Sequence, residues 1–138
     1  MGEWSHPAHY SETAQAYVKR VRAAQIAVFV EIALPRMREA ARRCGYALAV
    51  HGTQVRDLDL IACPWIEEAA SPDDLATALG NVIGETTGWC YQHADRDWTE
   101  KPHGRVGVIL IAGSGGEVHV DLSVMPRLGK PPADEPDA

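Results

Sequence analysis

The sequence is poor in the residues that staple or anchor a chain. Its three cysteines, Cys44, Cys63 and Cys90, are odd in number and without CxxC spacing, which excludes a disulfide framework and gives no thiolate zinc site. Free thiols in a reducing cytoplasm are the expectation. The opening residues, MGEWSHPAHY, lack a basic end followed by an apolar run, and the longest apolar stretch, 23–34, contains Glu31 and is too short to span a bilayer. Neither secretion nor membrane insertion is expected. A surplus of positive charge is missing too, and a net charge of −6 argues against a general polyanion binder. No internal repeat is found.

What is present suits one globular domain. A chain of 138 residues with 46% apolar side chains can close around a single core without staples. Charge is distributed unevenly: residues 1–44 hold seven Lys/Arg against four Asp/Glu, and residues 45–138 hold six against fifteen. Part of the acidic excess suits a metal site, and part belongs to the tail RLGKPPADEPDA, residues 127–138, which reads as disordered. The domain is expected to cover residues 1–126.

Residues 11–44 read as helix, with Ser11 as the cap and Arg42 and Arg43 at the negative end of the dipole. Pro35 predicts a kink or two helices, about 11–33 and 36–44. Residues 46–50 read as a buried strand and residues 56–62 as a second, closed by Pro64. Ser71, Pro72 and Asp74 begin a helix that runs to about Thr87. Residues 88–104 give a short strand and a loop. Residues 105–112, apolar on both faces, read as a central strand, which a turn at 113–116 joins as a hairpin to the alternating EVHVDLSVM. The fold class is α+β: a mixed sheet of four or five strands covered by the amino-terminal helices and helix 72–87.

The chemistry lies in three aspartates. Side chains alternate along a strand, so Asp57 and Asp59 are expected on one side of their strand and Leu58 and Leu60 on the other. Like charges held together resist ionisation unless a cation lies between them, and carboxylates on rigid backbone suit Mg²⁺. In the last strand Val118, Val120, Leu122 and Val124 make one face, which leaves Asp121 central on the other. If the two strands are neighbours, three carboxylates converge where two Mg²⁺ or Mn²⁺ ions would serve in-line transfer.

His51-Gly52-Thr53, then Asp57-Leu58-Asp59, then Asp121 between Val120 and Leu122 together resemble the DNA polymerase beta-type nucleotidyltransferase superfamily, over about residues 45–125. More narrowly, HGTQVRDLDLIACPW is similar to a stretch of small bacterial and phage proteins described as nucleotidyltransferase-like. The resemblance implies a nucleotidyltransferase-like fold and transfer of a nucleotidyl group from a nucleoside triphosphate to an unidentified hydroxyl acceptor. It also implies that Gly52 and Thr53 hold the triphosphate, Asp57 and Asp59 bind both metals, and Asp121 binds the metal that activates the acceptor. Arg56, or Arg105 in the KPHGR segment, would offset phosphate charge. Only Gln54, Val55 and Arg56 separate the Gly-Thr from the Asp-x-Asp, which leaves room for a turn where the family has the start of a helix.

Other readings stay open. One is a catalytically inactive nucleotide- or partner-binding module, such as a phage accessory protein or a toxin–antitoxin component. Another is a metallohydrolase built on Asp with His51, His103 or His119, set against histidines that merely close a turn or lie half-exposed. Trp65, Trp89 and Trp98 are candidates to stack a base but are more commonly core or packed loop. The basic helix is a less favoured nucleic-acid contact than a solvated amphipathic face. A second subunit, in a homo-oligomer, or an appended domain is a candidate source of the acceptor pocket.

Overall fold

The computed structural model describes residues 11–92 and 96–129. The expected tail therefore lies, from residue 130 onward, outside the described residues. Two helices, α1 (Glu12–Ile32) and α2 (Leu34–Arg43), precede strands β1 (Tyr46–His51) and β2 (Leu58–Pro64). Helix α3 (Pro72–Thr87), the two-residue strands β3 (Cys90–Tyr91) and β4 (Thr99–Glu100), and the hairpin of β5 (Val106–Ala112) with β6 (Val118–Val124) complete the domain.

The helix starts follow their capping residues. Ser11 Oγ accepts from the amide of Ala14 at 3.1 Å, and Ser71 Oγ from that of Asp74 at 3.2 Å, each satisfying a donor that the first turn leaves without a helical partner. The break between α1 and α2 falls at Ala33, and Pro35 lies inside the first turn of α2. The helix restarts one residue before the proline because a first-turn position requires no amide donor.

Among the described residues the sheet has six strands rather than four or five, in the order β1-β2-β6-β5-β3, with β4 also pairing with β5. It is mixed: β2 and β6 run parallel, and the other pairs are antiparallel. The upper expectation is exceeded by one, because the two-residue β4 falls where a loop was expected and is too short to leave a periodic signal. The central strand is β6 and not the doubly apolar β5.

One face carries the core. Leu58, Leu60, Leu122, Val120, Leu110 and Val124 point into it with at most 1% exposure, against Ile26, Met37, Leu75, Leu79 and Ile83 of the helices. Tyr46 is buried with them and its hydroxyl donates to the carbonyl of Ala70 at 2.7 Å. The other face is largely open. In β1, expected to be buried throughout, Ala47 and Ala49 are exposed while Tyr46 and Leu48 are buried, and in β5 Ile109 is 55% exposed. Helices on one side of the sheet leave apolar residues such as Ile109 uncovered on the other. Trp65 and Trp89 are also exposed, whereas Trp98 packs against the core. Among the described residues no helix is long and apolar enough to cross a membrane, and the three cysteines are free thiols.

Candidate functional site

The open face carries one row of chemistry. His51 pairs with Asp59 across β1 and β2, Asp59 with Asp121 across the parallel pair, and Asp121 with Ile109 across the hairpin. Directly paired residues on neighbouring strands project from the same face at about strand spacing, roughly 5 Å. Asp59 and Asp121 are thus held side by side by backbone pairing. Each is partly buried.

The electrostatics follow from that placement. The Asp59 carboxyl is pushed above the ordinary carboxylate range, first by desolvation and then by the negative charge of Asp121; Asp57 adds to the rise, while His51 and Lys101 oppose it. Asp57 itself lies one residue before β2 and is exposed. This corrects the expectation that Asp57 and Asp59 project from one side of the same strand, and that the strand starts at Arg56. The turn after His51 continues through residue 56, with Gln54 at a positive φ of 56°, so the R-D-L-D-L alternation begins before the ladder does. Two of the three carboxylates are brought together as ladder partners, and the third approaches from the turn.

Gly52 is fitted to this site. Its φ is +79°, and a Cβ there would come 2.7 Å from Asp59 Oδ2, so only glycine lets the backbone turn this close to the carboxylate. Thr53 follows, exposed in the same turn, as is Arg56. Arg105 bends back and its Nε donates to the carbonyl of Pro102 at 3.1 Å.

Among the described residues the cation against Asp121 is Lys101, where the sequence pointed to Arg56 or Arg105. Its Nζ lies 3.3 Å from Asp121 Oδ1 and donates to Ser123 Oγ at 2.9 Å. Three features seat it. Gly107, the register partner of Ser123, has no Cβ; one there would come 2.5 Å from Lys101 Cε. Ser123, a small polar residue only 2% exposed on the central strand, lies beneath the ammonium group. The amide of Lys101 donates to the carbonyl of Arg105 at 2.9 Å, closing the loop that carries it. Upstream, residues 96–98 are pinned to the start of α3: Arg96 bonds to Asp73 and Thr77, and Trp98 Nε1 donates to Asp73 Oδ1 at 2.9 Å. A glycine inside an otherwise apolar strand is the sequence signal for such a close approach.

Gly107→Ala is accordingly expected to leave the fold's stability within about 1 kcal/mol, because the colliding atoms end a flexible side chain, while it displaces Lys101 from Asp121. Lysine acetylation followed by mass spectrometry checks this: Lys101 should react faster in the variant than in the parent, and Lys19 at an unchanged rate.

A groove of about 490 Å³ opens beyond Asp121, lined by Tyr91, Arg96, Thr99, Lys101 and Ile109. Among the described residues no group of three or more His, Cys, Asp or Glu is gathered as a metal cluster. The donor set nevertheless fits Mg²⁺, which takes one or two carboxylates and completes its shell with water and phosphate oxygens. The paired Asp59 and Asp121 supply two hard oxygen ligands whose mutual repulsion a cation relieves. In comparisons with known proteins no family model matches the chain, and neither a curated protein nor a solved structure does.

Proposed function

We propose that the open sheet face is a metal-dependent nucleotidyl-transfer site, which moves a nucleotidyl group from a nucleoside triphosphate to a hydroxyl acceptor. The observation that carries this reading is the register pairing of Asp59 with Asp121 on adjacent parallel strands, at positions where the opposite face is leucine and valine. Asp59 and Asp121, with Asp57 from the turn, would hold the Mg²⁺ or Mn²⁺ ions. When bound, two such ions stabilise charge on the attacking and leaving oxygens. The acceptor oxygen bonds to the α-phosphorus, the bond to the bridging oxygen breaks, and pyrophosphate leaves with that electron pair. Lys101, already against Asp121, is placed to offset phosphate charge. Gly52 and Thr53 offer an open backbone turn on the other side of Asp59.

A second reading, a non-catalytic nucleotide- or partner-binding module, is favoured by one feature. The chain passes from Thr53 to Asp57 through bends, so no helix amino terminus stands behind Gly52 and Thr53 to hold phosphates.

One assay separates the two. Each of the four α-labelled ribonucleoside triphosphates is incubated with the protein, Mg²⁺ and a cell extract. Transfer of label is expected from at least one of them, with at least about a hundredfold loss in Asp121→Ala, whose folding is checked by circular dichroism. Absence of transfer from all four leaves the binding module.

A further inference from the structure

The groove beside Asp121 has a position and a lining that point to what it holds. Resting on the transferase reading above, we propose that it is the acceptor subsite and that it takes a nucleoside, with the base lying across Ile109 and against Tyr91.

Position comes first. Gly52 and Thr53 flank Asp59 on the β1 side, and the groove abuts Asp121 on the β5 side. In an in-line displacement the attacking and leaving oxygens lie on opposite sides of the phosphorus. With the departing pyrophosphate over the Gly52 turn, the attacking hydroxyl enters from the groove.

The lining then selects the ligand. Ile109 is the register neighbour of Asp121 and 55% exposed, an aliphatic surface one strand from a carboxylate. Tyr91 is 45% exposed and its ring is tilted against Trp89 with centroids 6.2 Å apart, an aromatic wall steadied by a second ring. An aliphatic floor and an aromatic wall suit a flat heterocycle, while Thr99 and Lys101 offer donors to sugar or phosphate oxygens. A volume of about 490 Å³ falls within the range of small-molecule sites. In the reaction the nucleoside hydroxyl oxygen bonds to the α-phosphorus, its proton is released to water, and pyrophosphate departs with the bond pair.

Calorimetry tests the groove without metal. The full chain in EDTA is titrated with adenosine, guanosine, cytidine and uridine, and separately with their 5′-monophosphates. At least one is expected to bind, with affinity falling about tenfold or more in Ile109→Glu and in Tyr91→Ala. Both side chains are exposed enough for the variants to fold, which melting curves verify. Absence of binding by every nucleoside and monophosphate overturns the proposal, as does binding unchanged in both variants. In a parallel titration with the four nucleoside triphosphates, variants that weaken triphosphate binding and spare the nucleoside overturn the acceptor assignment. Labelled transfer that ignores both variants sinks the groove alone, whereas nucleoside binding with no transfer sinks the transferase reading and the acceptor role with it.

Discussion

Asp59→Asn is expected to be more stable than the parent protein at pH 7 in metal-free buffer and to bind divalent cations at least roughly a hundredfold more weakly, the top of the range that loss of an outer-shell partner brings. The two results have one cause. Desolvation, then the charge of Asp121, raises the Asp59 pKa above the ordinary aspartate range. The folded state therefore holds this proton more tightly than the unfolded chain does. Stability from the group is full below the unfolded pKa and is lost as pH rises through the folded one. Asparagine keeps the shape, carries no charge and lacks this loss. Melting curves in EDTA from pH 3 to 8 should show a fall above about pH 4 in the parent that is reduced in the variant. Added Mn²⁺ should raise the parent's melting temperature and leave the variant's unmoved, since only binding to the folded state stabilises it. A variant that melts lower at pH 7, or that still answers to Mn²⁺, would remove Asp59 from the site.

How much of this was legible in the chain depends on the range of each interaction. The strand carrying Asp121 could be read because strict alternation over EVHVDLSVM admits one assignment of faces, and α3 because Ser71, Pro72 and Asp74 act within one turn. The same local logic overran at Arg56 and Asp57, where alternation continues in the sequence but the turn from Gly52 occupies the backbone. Asp59 beside Asp121 was a conditional expectation, since no local pattern says which strands become neighbours; the parallel β2–β6 pairing meets that condition. Lys101 was missed because its seat draws on three separate segments: its own loop, Gly107 on β5, and Asp121 and Ser123 on β6. Gly107 was the available sign, a vacancy in RVGVILIA of the kind a close approach from another segment requires. The open face was misjudged for a related reason. Apolar residues on both sides of β5 read as double burial, yet Ile109 lies uncovered.

That one-sided architecture makes a second large effect testable. Leu122→Ala is expected to cost about 3–5 kcal/mol, the range for a fully buried leucine whose neighbours close only part of the cavity. Leu122 is 0% exposed on the central strand, paired with Leu60 on one side and Val108 on the other. The loss is a large share of the 5–15 kcal/mol typical of a domain and should lower the melting temperature by roughly 10 °C. Ile109→Ala removes a similar volume of side chain from the neighbouring strand, yet it should cost about 1 kcal/mol or less, because water already reaches most of that residue. Parallel urea titrations of the two variants give the comparison directly. The ratio of their costs measures how differently the two faces are covered: a wide gap fits a sheet with helices on one side, and Asp59 and Asp121 exposed to ligand on the other. Equal costs would mean that something covers Ile109, and the row from His51 to Ile109 would then be an interior seam unable to admit a substrate.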